Sequence, residues 1–201
     1  TGARLISKKY NLKFLSSGLL YRYASYQLLR HEPKNKVHFL KNIFKKFDLK
    51  KLNKIDLHTP EISEHTSIIA KINKIRLILK NVQINFSKKN KKCIIEGRDI
   101  STKILPKSDI KIFFKCDIGK AANRRYKELK KNNSKLTLLE VKKALKIRNL
   151  RDKKRKHSPL LKHRDALEID TGKLSISAMV KKMSLTIDRK IKKKYGNWRS
   201  I

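Results

Sequence analysis

The sequence predicts an α/β protein, with a parallel sheet of short strands covered on both faces by helices. Short apolar runs at Leu12 to Leu15, Ile94-Ile95-Glu96, Ile110 to Cys116 and Leu167 to Ile169 read as strands. Between them lie longer stretches whose apolar residues recur at helical spacing, and this alternation is the pattern of parallel crossover units. A third observation marks one strand end. Ile94-Ile95-Glu96 runs without a break into Gly97-Arg98-Asp99, a glycine turn flanked by charge. In open parallel sheets ligands bind at such carboxyl ends.

Composition bounds the rest. The chain has 201 residues, enough for one domain with a sizeable core, and 39% of them are hydrophobic. A mean hydropathy of -0.61 and 35% charged residues exclude an integral membrane protein. No apolar run approaches the roughly 20 residues a spanning helix needs, and nothing near the start resembles a signal peptide. The net charge of +38 and pI near 10.5 would attract nucleic acid or polyphosphate. The lysines are scattered through nearly every segment, however, and Lys, Asn and Ile are abundant together. Compositional drift is therefore the main reading of the charge, with general attraction of anionic nucleotides following either way. Cys93 and Cys116 are expected to be buried free thiols in a reducing compartment. The histidines share no ligand spacing with the cysteines or with each other, so no structural metal is expected.

In chain order, residues 3–10 predict a helix with Leu5, Ile6 and Tyr10 inward. The strand from Leu12 enters Ser16-Ser17-Gly18, whose hydroxyls are expected to cap a helix over Gly18 to Arg30. Lys36 to Phe47 forms a second amphipathic helix through Phe39, Leu40, Ile43, Phe44 and Phe47. Pro60-Glu61 opens one long helix to Ile84, with Ile68, Ile69, Ile72, Ile75, Ile78 and Leu79 on its buried side. Lys88 to Lys92 is a solvated charge run. Ile110 to Cys116 suits a sheet interior, and Asp117 caps a helix carrying Arg124, Arg125 and Tyr126, which Asn132-Asn133-Ser134 breaks. Thr137-Leu138-Leu139-Glu140 is a capping box for a helix through Arg148 and on towards Arg155. A last strand at Leu167 to Ile169 and a helix over Ser175 to Lys194 close the chain.

The chemistry points to phosphate. Arginine binds phosphate oxygens bidentately and stays charged, and a lysine-rich chain has kept arginine at 22, 98, 148 and 155. Arg148, Asp152 and Arg155 are spaced i, i+4, i+7 and so share one helix face. Taken alone that spacing also describes a surface salt-bridge ladder.

The words S-S-G-L-L-Y-R from Ser16, E-G-R-D from Glu96, R-D-K-K-R-K-H-S-P-L from Arg151 and D-A-L-E-I-D-T from Asp165 occur in this order. Together they resemble bacterial cytidylate kinase, a P-loop nucleoside monophosphate kinase family, over essentially the whole chain. The resemblance implies a three-layer fold: a parallel-sheet core over 1–30, 88–120 and 159–201, a CMP-binding region over 31–87 and a helical lid over 121–158. It implies transfer of the γ-phosphoryl of ATP to CMP or dCMP with Mg²⁺. Carried residue by residue, it implies Arg22, Arg98, Arg155 and Ser17 at the substrate phosphate, with Arg98 and Arg155 catalytic. Ser67, Arg76 and Asp99 match the cytosine-reading positions, and Arg148 and Asp152 the ribose-binding ones. Asn149 stands where the family has an aspartate, and the stretch Asp48 to Leu57 is shorter than the family's usual insert. Thr1 matches the threonine that ends the phosphate loop and binds Mg²⁺, and Glu96 a position for a metal-bound water. On that alignment the chain begins just after the loop's glycines and lysine. As given, it is then expected to bind nucleotide poorly and transfer no phosphate, and turnover should return when an upstream strand and G-x-x-x-x-G-K are added. The expected state is a cytoplasmic monomer without membrane contact, touching nucleic acid only non-specifically. The alternatives are a basic, non-catalytic nucleic-acid-binding protein and a degenerate kinase fold.

Overall fold

Lys13–Ser16 (β1) and Cys93–Glu96 (β2) lie side by side as a parallel pair, Lys13 opposite Cys93 and Ser16 opposite Glu96. Ile112–Lys115 (β3) and Leu167–Asp170 (β4) form a second parallel pair, Ile112 opposite Leu167. The computed structural model describes residues 2–53, 55–130 and 136–196, and among these the strands form two two-stranded ladders. Gly2–Lys9 forms α1, Ser17–His31 α2, Lys36–Lys45 α3, Pro60–Ile69 α4 and Asn73–Lys89 α5. Ile118–Lys130 is α6, Leu138–Lys154 α7 and Ile176–Tyr195 α8, with a 3₁₀ turn at Leu49–Asn53 and a π turn at Ile100–Ile104. Strands alternate with helices and pair in parallel, as the sequence predicts.

Helix starts follow local chemistry. Thr59 accepts from the Ile62 N–H at 3.2 Å, with Pro60 in the first turn of α4. Thr137 and Glu140 form the expected capping box on α7. The Asp117 carboxylate accepts from the Lys120 N–H at 3.0 Å, and such backbone donors hold its carboxyl below the usual range. Ser175 caps α8 through the Ala178 N–H at 3.1 Å. Ser16 occupies the cap position of α2, but its hydroxyl makes no capping hydrogen bond.

Two apolar clusters hold these elements. One gathers Leu20, Ala24 and Leu28 of α2 with Leu40 and Phe44 of α3, Ile69 of α4, and Ile75 and Leu79 of α5. The other packs Met179, Met183 and Ile187 of α8 on Ile6 of α1 and Ile169 of β4. Ile94 of β2 and Ile112 of β3 pack against this second cluster, so both ladders share it.

Several expectations are corrected. The long helix over 60–84 is two helices, because α4 stops at its C-cap Ala70 and the extended Ile72 (φ -80°, ψ 109°) is the N-cap of α5. That break turns Ile68 and Ile72 outward, and neither is buried. Lys88 and Lys89 belong to α5 rather than to a connecting run. Ile112–Lys115 is not a sheet interior, since Phe114 is exposed and Lys115 follows it. Cys93 and Cys116 are free thiols, but both are half-buried rather than buried. Asn132-Asn133-Ser134 lies outside the described residues. Among the described residues no helix is long and apolar enough to cross a membrane.

Gly97 sets how closely the end of β2 approaches α2. A Cβ added there would sit 2.8 Å from the Ile100 side chain and 2.9 Å from the Ser17 Cβ. The β2 tip therefore lies against the first residue of α2 only because position 97 has no side chain. Gly97→Ala is expected to cost about 1–3 kcal/mol, the usual range for overpacking. Urea unfolding of the two proteins measures it, and equal stability would show that the contact yields freely.

Candidate active site

The site forms where β2 ends. Asp99 follows the turn at Gly97 and is buried, 4% exposed. Such a carboxylate needs a close cationic partner. Arg76, in the first turns of α5, supplies it: its Nη2 forms a hydrogen-bonded ion pair with Asp99 Oδ2, and both side chains are buried. Arg76 also donates from Nη1 to the Ala70 carbonyl at 3.1 Å. The break between α4 and α5 frees that carbonyl, so one feature of the backbone helps to aim the guanidinium. The Arg76 guanidinium also lies 5.6 Å from the Tyr21 ring centre. Burial pushes the Tyr21 hydroxyl up to about 12, so it stays protonated.

Helix α7 brings the second half. Arg155, its C-cap, places Nη2 4.0 Å from Asp99 Oδ1 and Nη1 3.1 Å from Asp152 Oδ1. Asp152 Oδ2 has Arg98 Nε at 3.4 Å and Arg148 Nε at 4.0 Å. The i, i+4, i+7 face of the sequence is thus turned onto the β2 tip, with Asp152 between Arg98, Arg148 and Arg155. It is not a surface ladder, since Asp152 and Arg155 side chains are 9% and 5% exposed. Two polar atoms of this cluster remain buried without a hydrogen bond: Asp152 Oδ2 and Arg155 Nη2.

The other predicted residues surround this centre. Arg22 of α2 is buried and donates from Nη1 to the Leu57 carbonyl and to Ser63 Oγ, each at 2.8 Å. Among the described residues these bonds leave its Nε and Nη2 unused. Ser17 is buried against Gly97. Ser67 of α4 is buried and donates to the Glu64 carbonyl at 2.9 Å. Glu96, half-buried, closes β2 and has no ion-pair partner among the described residues. Thr1 lies outside the described residues.

The electrostatics follow from crowding like charges in partly dry surroundings. Burial, and then the charge of Arg98, pull Arg148 down to about 10. Burial, and then Arg148, pull Arg22 down to about 10 as well. Arg155 is lowered by burial and then by Arg76, with Asp152 and Asp99 opposing. All three remain cationic near neutral pH. Each would be relieved by an incoming anion.

Sequence reasoning missed three participants. Arg151 donates from Nη1 to Glu64 Oε1 at 2.6 Å and to Ser67 Oγ at 2.5 Å, joining α7 to α4. Its place beside Asp152, three residues after Arg148, was the available signal. Asn149 Oδ1 accepts from Arg98 Nη1 at 3.4 Å, so the position that departs from the family pattern touches the site. Ser63, one turn before Ser67, holds Arg22.

Known proteins share this sequence pattern along nearly its whole length. The sequence profile described as cytidylate kinase matches residues 1–189. The chain belongs to the cytidylate kinase family. It is 35% identical over 188 residues to the cytidylate kinase of Rickettsia rickettsii strain Sheila Smith, covering 93% of this chain and 85% of that one. To the cytidylate kinase of Fusobacterium nucleatum subsp. nucleatum it is 35% identical over 204 residues, 94% of this chain and 91% of the relative. To that of Bartonella tribocorum it is 37% identical over 183 residues, 89% and 83% respectively. Membership in the cytidylate kinase family makes the chain an ATP-dependent phosphotransferase of the nucleoside monophosphate kinase class. The nucleic-acid-binding alternative is not favoured.

The buried Arg76–Asp99 pair yields a stability test. Arg76→Met leaves the buried Asp99 with only the more distant Arg155, 4.0 Å away, so it is expected to cost up to about 3–5 kcal/mol. The double replacement Arg76→Met with Asp99→Leu removes both charges and should recover most of that loss. Urea unfolding of the single and double variants decides: additive losses would mean that the two groups do not depend on each other.

Proposed function

We propose that the chain transfers the γ-phosphoryl of ATP to CMP or dCMP, giving CDP or dCDP, at the cluster between the β2 tip and α7. The observation that carries this is Arg155 Nη2, a buried guanidinium nitrogen with no hydrogen-bond partner, in a cluster where Arg98 and Arg148 flank the same Asp152. A buried donor left unmade is costly, and a phosphate oxygen would satisfy it.

Phosphoryl transfer asks for two repelling phosphates to be brought in line, their charge neutralised and water kept out. Arg22, Arg98 and Arg155, with Ser17, would hold the phosphate of the monophosphate. Arg98 and Arg155 would also stabilise the charge that develops in transfer. Arg148 and Asp152 would bind the ribose, and Asp152, already ringed by cations, keeps the arginines in place before substrate arrives. Ser67, Arg76 and Asp99 would read the cytosine edge. Residues 1–30, 88–120 and 159–201 form the core in this reading, 31–87 the CMP-binding region and 121–158 the lid.

The donor set fits a divalent ion in one respect: Glu96 is a half-buried carboxylate without a cation partner, among the described residues, at the strand tip. Glu96 would hold the water shell of Mg²⁺, together with Thr1. The ion supplies charge neutralisation on the ATP phosphates. The enzyme is read as a cytoplasmic monomer, meeting nucleic acid only through its general charge.

The decisive experiment measures CMP-dependent ADP formation from ATP by the full-length protein. No CMP-dependent turnover from a folded protein would overturn the proposal and favour a degenerate kinase fold. In the active protein, Arg98→Ala or Arg155→Ala should lose roughly 2–4 kcal/mol of transition-state stabilisation, the range for one preorganised donor. Neutralising Lys88 and Lys89, which sit in the exposed last turn of α5, should leave kcat/KM within about twofold. A larger effect from the lysines than from the arginines would reverse the assignment.

Base choice gives a further test. Cytosine presents an amino donor where uracil presents a carbonyl acceptor, and a carboxylate accepts from the first and repels the second. A site built for one pattern leaves groups unpaired with the other. CMP should therefore be preferred to UMP in kcat/KM, and Asp99→Asn should narrow the ratio. An unchanged ratio would remove Asp99 from the role.

A further inference from the structure

Ser67 Oγ is bonded on two sides. The Glu64 carbonyl oxygen lies 2.9 Å away and Arg151 Nη1 2.5 Å away. A carbonyl oxygen only accepts and a guanidinium only donates. The single hydroxyl proton therefore points at Glu64, and Ser67 accepts from Arg151 with one lone pair. Its remaining lone pair is an acceptor. Arg151 is itself fixed, since the Nη1 that reaches Ser67 also donates to Glu64 Oε1 at 2.6 Å. Both hydrogens of Nη1 are then used within the protein.

We infer that Arg151 is a specificity-determining residue that sets the hydrogen-bonding sense of Ser67 towards the pyrimidine. The inference rests on the proposed reading of Ser67, Arg76 and Asp99 as the base-facing edge. Arg151 pins the Ser67 oxygen against the Glu64 carbonyl. Turning the proton towards a ligand would then leave two oxygens facing each other at hydrogen-bond distance. While pinned, Ser67 offers the base an acceptor only, as Asp99 does. An amino group on the ligand satisfies both, whereas a carbonyl at the same place meets oxygen on each side. Without Arg151 the serine side chain is free to leave Glu64, change rotamer and donate to a carbonyl. Arg151 therefore acts through Ser67 and need not touch the ligand. It also ties the sense of the pocket to the position of α7, because Arg151 reaches Ser67 only while that helix lies on α4.

The test is calorimetric binding of CMP and UMP to the wild-type chain, Arg151→Met, Arg151→Lys, Ser67→Ala and the Ser67→Ala/Arg151→Met double variant. Binding of the monophosphate is read directly, so no turnover is required. Arg151→Met should lower the CMP-over-UMP affinity ratio roughly three- to tenfold, about what one hydrogen bond contributes, mainly by tightening UMP. Arg151→Lys, which keeps a cationic donor, should retain most of the wild-type ratio. In the Ser67→Ala background, Arg151→Met should leave the ratio unchanged. If the wild-type chain prefers CMP and Arg151→Met keeps the full ratio, the inference fails while the base-edge reading stands. A change that persists without the Ser67 hydroxyl also overturns it. A wild-type chain that binds CMP and UMP equally, or binds neither, removes the base-edge reading and the inference together. Urea unfolding of each variant separates a shifted ratio from a lost fold.

Discussion

Two buried aspartates hold together arginines that would otherwise repel one another. Asp99 takes Arg76 and stands 4.0 Å from Arg155, while Asp152 lies among Arg98, Arg148 and Arg155. Unlike charges at such distances attract by several kcal/mol where water is partly excluded. Like charges so placed repel by comparable amounts, and burial adds to the penalty. The arrangement is stable only because carboxylates alternate with guanidinium groups. It is also incomplete, since cations outnumber anions and one donor and one acceptor remain unsatisfied. In the proposed reading a phosphate would complete it. Stability of the cluster and the proposed affinity for phosphate would then draw on the same charges.

The backbone supplies that arrangement from three separate places. The β2 strand ends at Glu96 beside the end of β1, and Gly97 lets the tip rest on Ser17. Arg98 and Asp99 follow directly. The interruption between α4 and α5 lets Arg76 reach back to the Ala70 carbonyl while facing Asp99. The capping box at Thr137 and Glu140 starts α7, so that its last two turns and C-cap carry Arg148, Asp152 and Arg155 onto the tip. Each is a local decision of the chain, and none alone makes a site.

Much of this was legible because it obeys short-range rules. Strand runs, the capping box, the helix start at Pro60 and the shared face of Arg148, Asp152 and Arg155 depend on residues a few positions apart. What escaped depends on tertiary partners. Periodicity carried the apolar stripe of Ile68 to Leu79 straight through the position where α4 ends, because every isoleucine there suits a helix face. Ile72 adopts an extended conformation instead, and no glycine or proline marks it. The apolar run Ile112-Phe113-Phe114 gave no sign that β3 would lie in a two-stranded ladder with Phe114 exposed. Arg151 was hidden for a related reason. In a helix already rich in basic residues, only the facing Glu64 and Ser67 distinguish it from its neighbours.

The overall charge has a different standing from the site. A net charge of +38 draws any polyanion towards the protein, but exposed lysines attract through a field that salt screens within about 10 Å. The arginines of the cluster lie closer together than that and are partly or fully removed from water, so salt weakens them far less. Their fork geometry also selects oxygens set as in a phosphate, which a diffuse field cannot do. In the proposed reading encounter and recognition would therefore be carried by different residues. That division would let a chain so broadly enriched in lysine carry the selective nucleotide site proposed for the cluster. Selectivity would lie in the few positions where arginine faces aspartate, from the half-buried Arg98 and Arg148 to the buried Arg155, and the surrounding charge would add rate without adding discrimination.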